Sequence, residues 1–156
     1  MIKAVCVLSQ SKTVTGTIYF SEQSNNTVKI TGIINGLCDG LHGFHIHNAG
    51  DLTDHCKSAC AHFNPTNSNH GGKDSKIRHA GDLGNIRSKN NVAKINITDK
   101  IIKLRGTKYN IIGRSVVVHA NPDDLGLGTG DARQESLVTG NAGARLACGV
   151  IGYAAH

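Results

Sequence analysis

Six histidines and one aspartate carry the chemistry of this sequence. Gly43-Phe44-His45-Ile46-His47 is followed by His62-Phe63-Asn64-Pro65, His70-Gly71-Gly72, His79-Ala80-Gly81-Asp82 and, far downstream, Val118-His119. Four imidazole or carboxylate donors complete a tetrahedral site on a first-row ion. Seven donors exceed one ion and point to two neighbouring ions that share a ligand.

The donors divide by the elements that would hold them. His45 and His47 lie two apart on an expected strand, so they project from one face. His119 closes a second strand, Ser115-Val116-Val117-Val118-His119. Three imidazoles on a rigid wall make a stiff, nitrogen-rich site of the kind that suits copper. His70, His79 and Asp82 with one more imidazole give three nitrogens and an oxygen, a good zinc set. His62 lies between the groups in sequence and is the natural shared ligand, because imidazole has two ring nitrogens.

The positioning elements read as strands. Residues 2–8, 13–20, 27–34, 41–47, 92–97, 101–104, 114–119 and 146–153 are short, rich in β-branched residues and bounded by Gly, Asn, Asp or Ser. Eight such strands predict an all-β antiparallel sandwich or barrel. Residues 48–82 and 120–145 break the rhythm as long, polar, glycine-rich loops. Loops of that length in a compact domain are usually functional, and the histidines occupy or bracket both.

Composition narrows the alternatives. The 156 residues suit one domain, 1–156, with a core of Val, Ile, Leu and Ala, since aromatics are scarce and tryptophan is absent. No apolar run approaches 18 residues, so no membrane-spanning helix is expected. The start, Met1-Ile2-Lys3-Ala4-Val5-Cys6-Val7-Leu8, lacks signal-peptide character, and a cytoplasmic location is expected. The formal charge is +6, but lysines and arginines are dispersed along the chain, which argues against a nucleic-acid partner. Five cysteines leave at least one unpaired, and a cytosolic chain would keep all five reduced by default. Cys6 reads as a buried core thiol.

Gly43-Phe44-His45-Ile46-His47, His62-Phe63-Asn64-Pro65, Gly81-Asp82-Leu83-Gly84-Asn85 and Thr139-Gly140-Asn141-Ala142-Gly143 through Arg145-Leu146-Ala147-Cys148-Gly149 together resemble the copper/zinc superoxide dismutase family, in its cytosolic eukaryotic-like form. The resemblance runs from Lys3-Ala4-Val5-Cys6-Val7-Leu8 to the C-terminus. It implies an eight-stranded, immunoglobulin-like Greek-key barrel or sandwich that disproportionates superoxide to dioxygen and hydrogen peroxide. It places copper on His45, His47, His62 and His119, and zinc on His62, His70, His79 and Asp82. His62 would also carry a catalytic proton. Asp123 matches the family's aspartate that links a copper ligand to a zinc ligand. Arg145 matches the arginine that holds the superoxide anion, and Thr139 a residue that narrows its channel. Cys56 and Cys148 match the family disulfide, which leaves Cys38 and Cys60 free. His42 resembles a structural histidine near the barrel end, and His55 and His156 are expected to be solvated.

The resemblance extends to assembly, and it has one departure. Ile111-Ile112-Gly113-Arg114, Gly50-Asp51 and Gly149-Val150-Ile151-Gly152 resemble the segments that pair in the family's cytosolic dimers, so a homodimer is expected. Ala144 and Leu146 flank Arg145 where some relatives have prolines linked to strict dependence on a copper chaperone. Maturation without that partner is therefore expected to be possible. Asn121, Leu127 and Val138 stand where relatives often carry basic residues that draw superoxide inward, with Arg133 in the same loop as partial compensation.

Overall fold

The computed structural model describes residues 1–156. Nine strands form: β1 (Lys3–Val7), β2 (Thr15–Glu22), β3 (Val28–Asn35), β4 (Gly40–His47), β5 (Thr53–Cys56), β6 (Asp82–Lys89), β7 (Val92–Asp99), β8 (Ser115–His119) and β9 (Arg145–Tyr153). Eight of them close into an antiparallel barrel in the order β1-β2-β3-β7-β6-β4-β8-β9, with β9 pairing back onto β1. Closure leaves no unpaired edge, which is how a sheet of this size avoids templating aggregation. The chain skips two barrel positions between β3 and β4, and again between β7 and β8, giving Greek-key crossovers.

Alternation along each strand separates core from exterior. Phe44 and Ile46 of β4, Val116 and Val118 of β8, and Ile18 and Phe20 of β2 point inward and are inaccessible to solvent. Their odd-numbered neighbours on β4 and β8 point outward. Yet His42 through His47 are all buried, because the two long loops cover this wall of the barrel. That covered outer wall is where the candidate site lies.

Seven expected strands form within two residues of their expected bounds. The eighth does not: residues 101–104 make only an isolated bridge at Lys103. Asp99 Oδ2 accepts the backbone N–H groups of Ile101 and Ile102 and turns the chain away from β7. Ile102 and Leu104 then plug the barrel interior instead of pairing. The missing strand is β6, Asp-Leu-Gly-Asn-Ile-Arg-Ser-Lys, whose residues have mostly poor strand propensity. It pairs nonetheless because Leu83 and Ile86 reach the core.

The loops are largely irregular, as expected. The first holds β5 and one 3-10 turn at Lys57–Ala59; the second holds a 3-10 turn at Gly130–Ala132 and one helical turn at Arg133–Ser136. A Cys56–Cys148 disulfide ties the first loop to β9, with Cα atoms 5.7 Å apart. Cys6, Cys38 and Cys60 are free thiols, and only Cys6 is buried.

Candidate metal centre

The two donor sets are built on opposite sides of one ring. His45, His47, His62 and His119 gather on the barrel wall, and His62, His70 and His79 of the first loop gather with Asp82, which opens β6, every member buried. His62 belongs to both. Its Nδ1 lies 3.0 Å from Asp82 Oδ1 and 3.2 Å from His79 Nδ1, which leaves Nε2 for the barrel-wall set. The His45 and His62 ring centroids are 4.1 Å apart.

Local hydrogen bonds decide which nitrogen of each ring is free. His47 Nδ1 donates to the Cys60 carbonyl at 2.7 Å, and His119 Nδ1 to the Gly143 carbonyl at 3.1 Å. His45 Nε2 donates to Asp123 Oδ2 at 2.5 Å, and His70 Nε2 to Asp123 Oδ1 at 2.8 Å. The opposite nitrogens, His45 Nδ1, His47 Nε2, His70 Nδ1 and His119 Nε2, are buried with no hydrogen-bond partner. A buried polar atom without a partner costs about 1–3 kcal/mol. Four orphans converging on two points are therefore a strong indication of cations. A neutral ring whose other nitrogen donates presents a lone pair, which is what a metal ion requires.

Spacing supports the same conclusion. Ligands held about 2.0–2.1 Å from a tetrahedral ion lie roughly 3.3 Å from one another. Asp82 Oδ1 is 3.0 Å from His62 Nδ1, 3.0 Å from His70 Nδ1 and 3.2 Å from His79 Nδ1. The His70 nitrogen is not aligned for a hydrogen bond, although it sits so close to a carboxylate oxygen. The residues present therefore fit copper and zinc.

Titration behaviour separates the two sets. Burial pushes the His45 ring down to about 3 against the pull of Asp123, and the His119 ring down to about 4. Burial also lowers His62, and lowers His47 well below its ordinary value. His70 goes the other way: burial opposes its charge, but Asp123 and Asp82 outweigh burial and raise it to about 9. Burial raises the Asp82 and Asp123 carboxyls, and the surrounding imidazoles more than reverse this.

A cavity of about 540 Å³ opens onto the barrel-wall set, and its lining includes His47, His62, His119, Thr139 and Arg145. Arg145 is half-buried, and its Nη1 donates to the Cys56 carbonyl at 2.8 Å. The family model described as copper/zinc superoxide dismutase (SODC) matches residues 14–151. The chain belongs to the copper/zinc superoxide dismutase family. The chain is 60% identical over 155 residues to the Superoxide dismutase [Cu-Zn] of Paramecium bursaria Chlorella virus 1, covering 98% of this chain and 79% of that protein. It is 54% identical to Superoxide dismutase [Cu-Zn] A of Xenopus laevis, covering 98% and 99%. It is also 54% identical to the Extracellular superoxide dismutase [Cu-Zn] of Onchocerca volvulus, covering 98% and 77%. The crystal structure of the clock protein EA4 superposes with a TM-score of 0.92 at 42% identity, covering 97% and 94% of the two chains.

For this copper/zinc superoxide dismutase, the structure brings His45, His47, His62, His119, His70, His79, Asp82 and Asp123 into one buried cluster, and places Thr139 and Arg145 on the cavity lining beside it. The departures behave differently. Val138 lines the cavity and is 56% exposed, so a basic residue there would act on it directly. Asn121 and Leu127 are exposed but do not line the cavity. Arg133 Nη1 donates to the Gly126 carbonyl, so its charge is held away from the cavity lining. His42 bridges the Cys38 and His119 carbonyls at 2.7 and 2.8 Å, and exposed His55 meets Gln10 Oε1.

Three contributors were missed. Asn85 clamps Asp123 by accepting its N–H at 2.7 Å and donating to its carbonyl at 2.9 Å. It lies inside the quoted Gly81–Asn85 motif, so the motif contained the signal. Gly140 has φ +72°, and a Cβ there would meet Asp123 Oδ1 at 2.1 Å. Glu135 brings a carboxylate to the cavity and accepts from Thr139 Oγ1 at 2.8 Å. Nothing in the local sequence distinguishes it from a solvated helix-end glutamate.

Proposed function

We propose that residues 1–156 form a single domain that disproportionates superoxide, two O2•− and two protons giving O2 and H2O2. Copper would be held by His45, His47, His62 and His119, and zinc by His62, His70, His79 and Asp82. The observation that carries this reading is the set of four orphaned ring nitrogens arranged on either side of the doubly used His62. Bound copper supplies a one-electron couple that alternately accepts and returns an electron, while zinc is redox-silent.

The chain's own residues do the rest. Arg145 presents a permanent positive charge with planar donors to a small oxyanion entering the cavity. Thr139 with its Glu135 contact, Ala142 and Gly143 narrow the approach. His62 Nε2, whenever it is not serving as a ligand, would hold a proton and release it toward the departing peroxide, with the second proton coming from water. Asp123 fixes the tautomers of His45 and His70, so the two donor sets stay in register.

The experiment is a dismutation rate with copper and zinc content measured on wild type and His62→Ala. Uncoupled metals and an altered copper spectrum are expected in the variant; an unchanged copper spectrum would refute the shared ligand. A non-catalytic relative of the same fold would lack part of the copper set, and here the set is complete.

The finer reading is a cytosolic homodimer. Half-buried Ile112 and exposed Val150 lie near Gly50 and Gly113, on a surface that supports a small apolar interface. Light scattering at micromolar concentration is expected to give twice the chain mass. Two exposed free thiols support a reducing compartment, and cell fractionation would test it. Metal loading in cells lacking a dedicated copper chaperone would test independence from that partner.

A further inference from the structure

We propose that a second, non-catalytic site on this chain binds small tetrahedral oxyanions, phosphate or sulfate groups carrying two or more charges. A cavity of about 430 Å³ lies between the back of the first long loop and the segment after β7. Lys76 of the first long loop meets Lys100 and Lys103 of the segment after β7 there, so charges from two separate stretches of the chain converge in space.

The lining is chemically one-sided. It contains no carboxylate: buried Asp99 behind it is consumed by Arg78 at 2.7 Å and by two backbone N–H groups, and exposed Asp74, outside the lining, pairs with Lys73 at 2.8 Å. Arg78 donates its remaining groups to the Lys73, His79 and Ala80 carbonyls, so it serves as scaffold and contributes little free charge. The Lys76 and Lys100 side chains are exposed, and their ammonium groups make no hydrogen bond or ion pair within the chain. Lys103 is half-buried and uses two of its three protons, on the Asn26 and Lys100 carbonyls at 2.6 and 2.7 Å. The third remains for a ligand. Tyr109 adds a neutral hydroxyl donor to the same wall, and Thr66 and Ser68, whose hydroxyls bond each other at 2.8 Å, leave one more. A concave surface lined by one sign of charge focuses the field and concentrates counter-ions. Unpaired ammonium groups with hydroxyl donors match an oxyanion's acceptors.

The test is isothermal titration of the metal-loaded protein at near-physiological salt, where charges more than about 8 Å apart are screened. Pyrophosphate probes a phosphate source and a sulfated disaccharide probes a sulfate-ester source. Saturable one-to-one binding of at least one probe is expected. K76Q/K100Q should weaken it tenfold or more, while K12Q/K89Q, with the same loss of charge at exposed sites outside the cavity, should leave it within twofold. No saturable binding of either probe would overturn the proposal, as would equal weakening by both double variants. These outcomes are read without dismutation activity, so they do not depend on the metal centre's assignment.

Discussion

His45 and Asp82 face each other across β4 and β6, yet they belong to different donor sets. The pairing exists because the register slips. Gly43 pairs with Asn85 and His45 with Asp82, so two steps on β4 match three on β6. Without the extra residue, Leu83 would lie on the outer face opposite His45. The bulge sends Leu83 into the core and brings Asp82 out beside the histidines, the re-aiming that bulges commonly perform. One inserted residue thus sets the two donor sets side by side.

Gly84 sits within that bulge at φ +77°, with only Lys73 atoms near where a Cβ would be. Strain, not collision, is the cost of a side chain there. Gly84→Ala is expected to lose about 1–2 kcal/mol in denaturant unfolding, the cost of left-handed backbone for an L-residue. Zinc content should fall with it, because Asp82 is what the bulge positions.

Asp123 gives one oxygen to His45 and the other to His70. Asp123→Asn keeps the volume but replaces one acceptor with a donor that opposes a ring N–H. Zinc affinity should weaken roughly 10- to 100-fold, the usual effect of losing such a partner. Competition against a chromophoric chelator measures it, and an unchanged far-UV circular dichroism spectrum would separate it from unfolding.

The opposite titration shifts make metal uptake depend on pH differently at the two sets. A metal takes the deprotonated ring, and His70, raised to about 9, must give up a proton at pH 7. Zinc loading of metal-free protein at pH 7 is therefore expected to release about one proton, and zinc affinity to fall about tenfold per pH unit on acidification below that value. His45 and His119, lowered to about 3 and about 4, are already neutral, so copper affinity should change little between roughly pH 7 and 5. Calorimetry in buffers of different ionisation enthalpy reads both.

Val138 is the one departure from the family's basic residues that lines the cavity. Val138→Lys is expected to raise the second-order dismutation rate roughly two- to five-fold at low ionic strength through focusing. The gain should shrink as salt screens it. Asn121→Lys, outside the cavity lining, should do less. Pulse radiolysis across an ionic-strength series separates the two.

The Cys56–Cys148 bridge closes a loop with a sequence separation of 92, and the Cys56 carbonyl holds Arg145 at 2.8 Å. Replacing both cysteines with serine should cost the metal-free protein about 4.6 kcal/mol in the chain-entropy model. It should also lower the dismutation rate at full metal content, because Arg145 loses a rigid anchor.

The donor set was legible in the sequence because histidine spacing and strand alternation are local properties. His45 and His47 share a face by period alone, and His62 announces itself by lying between the two groups. Strand β6 was not legible, because its outer face is polar for the site's sake and its propensity is correspondingly poor. Residues 101–104 misled for the converse reason: their apolar side chains plug the barrel, and Asp99 diverts their backbone. Asn85 and Glu135 act through contacts with Asp123 and Thr139, 38 and 4 residues away, and composition does not encode such partners. The convergence of Lys76, Lys100 and Lys103 was hidden in the same way.

The central claim, a catalytic copper–zinc pair held by these seven side chains, is tested most directly by one measurement on one preparation. Copper and zinc content are determined together with the superoxide dismutation rate. One copper and one zinc per chain, with a fast rate that disappears when copper is removed, is the predicted result. A fully loaded protein that dismutates superoxide no faster than its metal-free form would contradict it.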